Sequence, residues 1–210
     1  MTRAAVLSAA LDQVLDGTPA QAGIDLDAAF QASADPWLLG LGAFVRFMAL
    51  DYPGAVALGD RALRAAGPDV TADPDAVLLA RVARGIASAG LRTVDPGQPD
   101  SWAATAPSLT PTGDPLADAA ADLDALDPLD APDHGSDTAH FVRYLVAEAL
   151  LACGRLDLAA EVVARSGPVP ALLVDNSGAA HPFTAMIRVM RARLLAFRGF
   201  VPEASAELQA

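Results

Sequence analysis

Leu150-Leu-Ala-Cys-Gly-Arg-Leu-Asp-Leu-Ala159 and Leu194-Leu-Ala-Phe-Arg-Gly-Phe-Val-Pro-Glu-Ala204 share one phrase. An apolar helical run reaches a glycine, and five residues later a small alanine stands in the next run. Phe47-Met-Ala-Leu-Asp-Tyr-Pro-Gly-Ala55 repeats it with Leu50 in the glycine slot. Glycine ends a helix by taking a left-handed backbone, and a small residue lets a following helix pack closely. The phrase therefore predicts helix pairs joined by tight turns, at three places.

The surrounding sequence supplies more helix boundaries of the same kind. Asp35-Pro36, Tyr52-Pro53, Asp73-Pro74, Asp114-Pro115, His181-Pro182 and Val201-Pro202 each place proline at a first helical position, where its missing N–H costs nothing. Stops are read at Gly67-Pro68, Gly90, Gly154, Gly167-Pro168 and Gly199. The expected helices are residues 36–50, 75–91, 139–153 and 182–198 as inner elements, with 53–66, 156–166 and 202–209 as outer ones. Pro36–Leu50 holds Arg46 as its one charge, whereas Pro53–Ala66 keeps Asp60, Arg61 and Arg64 for solvent. A helix apolar nearly all round must be covered on more than one side. No alternating strand pattern appears, and composition agrees. Forty-eight alanines against three isoleucines favour helix over sheet.

These marks resemble the tetratricopeptide repeat, in which a glycine closes the first helix and a small residue admits the second. Ala62 and Ser166 fall seven residues after Ala55 and Ala159, at the next small position. The spacing between Ala159 and Ala204 is longer than the ~34-residue tetratricopeptide period. Longer, looser repeats of this kind are similar to the helical sensing region of the MalT-like, LuxR-type bacterial regulators. The fold class expected is all-α: tandem antiparallel helix pairs forming a short solenoid. Residues 1–92 and 139–210 are read as its repeats, and 93–138 as an insertion. The insertion carries ten Asp and no Glu or Arg, so it holds nearly all of the chain's net charge of −12. Within it, Pro115–Leu126 is expected to form one helix, lying over the solenoid as a stand-in ligand.

Chemistry is marked mainly by absences. Lysine is missing altogether, which excludes a P-loop NTPase, a pyridoxal enzyme and a protein kinase. Cys153, the single cysteine, reads as a buried thiol in a reducing, cytoplasmic setting. His134, His140, Asp133 and Asp137 fit no metal-ligand spacing, and His181 reads as a helix cap. No catalytic residue, metal or cofactor is assigned, and no apolar run is long enough to span a membrane. The acidic balance disfavours direct nucleic-acid binding. The ligand-binding candidates are arginines: Arg46, Arg81, Arg84, Arg143, Arg188 and Arg191. Guanidinium groups along an inner-helix face suit an acidic peptide or small anion. The expected function is thus interaction or sensing, with a protein or peptide partner or a small-molecule inducer. The alternatives are a transcription regulator's effector domain, its ATPase and DNA-binding parts elsewhere, and, third, an enzyme.

Overall fold

The computed structural model describes residues 2–69, 72–94, 117, 121, 137–152, 154–164 and 182–209. Among them are helices and turns but no strand: α1 (Arg3–Leu15), α2 (Pro19–Ser33), α3 (Pro36–Met48), α4 (Tyr52–Ala66), α5 (Pro74–Val94), α6 (Asp137–Ala152), α7 (Leu156–Ala164), α8 (Pro182–Phe197) and α9 (Val201–Gln209). The chain divides into two compact units, Met1–Ala139 and His140–Ala210. All seven expected helices are present. The pair α1–α2 adds a helix, Pro19–Ser33, that the sequence reading did not mark. Of the expected helix Pro115–Leu126 only Ala117 and Ala121 are described, both helical; the rest, and the docking proposed for it, lie outside the described residues.

Helix starts follow the proline marks, with an aspartate just ahead as cap. Asp35 accepts from the Trp37 N–H at 3.0 Å, Asp51 from Gly54 at 3.0 Å and Asp73 from Ala76 at 3.1 Å. Each satisfies a donor that the first helical turn leaves unpaired.

Four helix pairs close with one and the same turn. The second residue after the first helix takes a left-handed φ: +76° at Gly17, +62° at Leu50, +72° at Gly154 and +85° at Gly199. The next N–H then reaches back five residues: Thr18 to Gln13 O (2.8 Å), Asp51 to Arg46 O (2.9 Å), Arg155 to Leu150 O (2.9 Å) and Phe200 to Leu195 O (2.9 Å). A second bond runs from the left-handed residue to the carbonyl three before it, which completes the Schellman pattern. Five residues past each slot stands a buried alanine: Ala22, Ala55, Ala159 and Ala204. Gly17 to Leu50 is 33 residues and Gly154 to Gly199 is 45.

Within the first unit α3 packs against α1, α2, α4 and α5, and α4 against α5. It is buried from Trp37 to Val45, as a helix so surrounded must be. Leu39 of α3, Ala62 of α4 and Ala80 of α5 meet in the core, with Phe30, Leu58 and Leu63 against them. Small residues set the helix separations. A Cβ added to Gly59 would stand 2.8 Å from the Arg84 Cβ and 3.3 Å from the Ala80 carbonyl, so α4 and α5 approach only because it is absent. Gly90 was expected to end a helix. Instead α5 runs on to Val94, and Gly90 makes room for the Tyr52 ring, 3.1 Å from where its Cβ would be.

In the second unit α8 packs against α7 and α9. Helix α7 buries Ala159 and Val162 on one side. Helix α6 is buried from Phe141 to Ala147. Helix α8 departs from the dry inner helix expected. It buries Ile187, Met190, Ala192 and Leu194 but leaves Met186, Val189 and Phe197 exposed.

Candidate functional site

The six arginines marked in the sequence divide evenly between the two units. Arg46, Arg81 and Arg84 belong to the first unit, and Arg143, Arg188 and Arg191 to the second. Arg46 sits in the last turn of α3, where a cation is favoured by the helix dipole, and pairs with Asp51 at 2.8 Å. Arg84 lies inside. Its Nε donates to Oδ1 of Asp60, carried by α4, and its side chain is 3% exposed. An anion reaching it would have to displace Asp60 and part α4 from α5. Arg81 is half-buried on the same helix, between buried runs Ala76–Ala80 and Val82–Ser88. Arg143 is buried on α6. Among the described residues, α3 and α5 thus offer solvent one exposed guanidinium, that of Arg46, and it is paired with Asp51.

Helix α8 is different. It carries Arg188, Arg191 and Arg193 and no acid. Arg191 reaches Glu207 of α9 at 3.4 Å, and Arg193, half exposed, reaches Glu148 of α6 at 3.3 Å. Arg198, in the turn, holds its guanidinium 5.8 Å from the centre of the Phe200 ring. The exposed apolar side chains nearby are Met186, Val189, Phe197, Phe200, Val201 and Leu208. Of the large hydrophobics exposed among the described residues, these are six of ten, and they fall within 23 consecutive positions.

One cluster went unmarked in the sequence. Arg3, first residue of α1, donates to Asp35 at 2.7 and 3.1 Å and to Asp73 at 2.5 and 2.8 Å. Its guanidinium lies 5.5 Å from the centre of the Trp37 ring, which is fully buried. Two capping carboxylates and one cation therefore hold the starts of α1, α3 and α5 at one edge. The hydrogen bonds to Asp73, and then those to Asp35, raise the Arg3 pKa against the opposing effect of burial. In return the bond from Arg3 holds the Asp73 carboxyl below its ordinary value. The only sequence signal was the pair of Asp-Pro marks that α1 must face. This is a structural clasp, since every partner is satisfied within it.

Among the described residues no group of three or more His, Cys, Asp or Glu is gathered to hold a metal. The side chains of Asp133, His134, Asp137, His140, Cys153 and His181 lie outside the described residues. No described helix is long and apolar enough to cross a membrane. Comparison with protein-family models, with curated proteins and with solved structures finds no match.

Proposed function

We propose that this chain is a helical-repeat interaction module of tetratricopeptide-like plan, which binds an acidic peptide or small anion and catalyses no reaction of its own. The observation that carries the reading is the turn repeated at Gly17, Leu50, Gly154 and Gly199, each followed by a buried alanine at the same distance. One supersecondary unit used over and over is how solenoids build a continuous core while offering helix faces to partners. The unequal spacings of 33 and 45 residues support a degenerate array, similar to the helical region of MalT-like regulators.

Charge selects the ligand class. Arg84 and Arg143 are committed inside, which leaves exposed Arg46 and half-buried Arg81, Arg188 and Arg191 as the marked cations nearer solvent. A guanidinium pairs with a carboxylate through two parallel hydrogen bonds, and binding built on such pairs weakens as salt rises. Fluorescence polarisation with a labelled Glu-rich peptide and a matched Lys-rich one tests the reading. The acidic peptide should bind at low salt and be released by added salt, while the basic one stays free. Equal binding of both, or of neither, would count against it.

A further inference from the structure

We infer that the α8–α9 hairpin is the docking surface for an acidic amphipathic helix of a partner protein, an inference that rests on the interaction reading and gives it a place. Met186, Val189, Arg193 and Phe197 follow one another at steps of three and four residues, so they fall along one side of α8. All four are exposed, and Phe200 and Val201 extend the row across the turn. A row with this spacing is what a second helix needs to lay an apolar stripe against. Aromatic, Met and Arg side chains are also the types enriched in the centres of protein interfaces.

Charge decides among occupants. Residues 182–209 hold four Arg and two Glu, a net charge of +2, and so leave −14 on the rest of the chain. Arg193 stands within the row, half exposed, donating to both Glu148 oxygens at 3.3 and 3.4 Å and keeping its outer face toward solvent. Arg198 stands at its turn end, stacked on Phe200. Two copies of this surface would bring like charges together, which disfavours self-pairing. An anionic lipid surface is extended and acts on charge well beyond the hairpin, −14 in all, whereas a single acidic helix lies within about 10 Å, one screening length, of the hairpin's own charge. A helix with leucines on one side and glutamates along both borders satisfies the apolar row and both arginines together.

The test uses the full chain and a labelled synthetic helix with Leu at successive three- and four-residue steps and Glu on the flanks. A control peptide carries Gln for Glu. Val189→Asp and Phe197→Ser alter exposed positions, and unchanged circular dichroism and melting show that the fold survives. Each should weaken binding about tenfold or more, as central interface residues do. Arg193→Glu should weaken the Glu peptide while leaving the Gln peptide unaffected. If wild type binds the Glu peptide and these variants bind it equally well, this surface is wrong and the interaction reading stands. If wild type binds neither the Leu/Glu helix nor the Glu-rich peptide above, both fall. Two other results overturn the choice of occupant. One is sedimentation of the chain with phosphatidylserine vesicles, lost in Phe197→Ser. The other is a concentration-dependent dimer, lost in Val189→Asp.

Discussion

Leu50 occupies a position that glycine holds in the other three turns, and replacing it should stabilise the protein. Its φ of +62° costs a residue with a Cβ roughly 1–2 kcal/mol. Leu50→Gly removes that cost. Against it, glycine loosens the unfolded chain by about 0.4–1 kcal/mol. Little packing is forfeited, because the Leu50 side chain is 73% exposed. The net gain is about 0.5–1 kcal/mol, or about 1–4 °C in Tm for a chain of this size. The reverse change supplies the control. Gly17 stands at φ +76° with open space where its Cβ would go, so Gly17→Ala introduces conformational cost and no clash. It should lower Tm by a similar amount. Both are read by calorimetry and by urea unfolding followed at 222 nm. A Leu50→Gly protein that melts below wild type would show that the exposed leucine is packed in a way this turn does not reveal. Shifts of the same sign in both variants would break the equivalence of the turns.

The clasp at Arg3 gives a pH dependence whose sign is fixed. Because Arg3 holds the folded Asp73 below its ordinary pKa, the stability it contributes is complete above the unfolded carboxylate's value of about 3.9 and drains as pH falls through the folded one. Asp73→Asn should cost on the order of 1 kcal/mol at pH 7, a modest figure for a partly exposed pair, and should flatten the stability profile below pH 4. A profile as steep as that of wild type would remove Asp73 from the account. Gly59→Ala should destabilise by about 1–3 kcal/mol, since its Cβ meets backbone and the Arg84 stem, whereas Gly23→Ala, in open space on α2, should stabilise by about 0.5–1 kcal/mol. Similar melting of the two alanine variants would mean that α4 and α5 can slide apart freely. Asp60→Asn removes the acceptor charge from a buried guanidinium and should cost several kcal/mol; a loss below about 1 kcal/mol would mean Arg84 is held chiefly by other groups.

Helix positions were legible because proline and capping aspartate act locally. Asp35, Asp51 and Asp73 bond within three residues of themselves, so the chain carries the whole instruction. The α1–α2 turn carries the same instruction in Gly17 and Ala22, five apart, and is as local as the other three. Tertiary contacts were another matter. Gly90 and Gly154 look alike in sequence, each after an apolar helical run. One ends a helix at φ +72° wherever it sits, and the other exists for a tyrosine 38 positions away. Nothing near Gly90 encodes Tyr52.

The arginines show the same division. A lone cation in an apolar helix can be a ligand's anchor or a buried partner, and only the facing helix decides. For Arg84 the facing helix supplies Asp60 beside Gly59, so the charge is consumed inside. For Arg193 the acid met among the described residues is Glu148 at 3.3 Å, and the arginine side chain is still half exposed. The two residues differ little in local sequence, each with an arginine two or three positions before it and apolar neighbours. What separates them is that α5 is covered on its sides by α3 and α4, whereas α8 leaves one side, Met186 to Phe197, uncovered. Uncovered apolar surface has a standing free-energy reason to acquire a partner, and a buried ion pair has none. A partner is therefore to be expected at the wet side of α8 and not at the driest helices, where cations look most out of place.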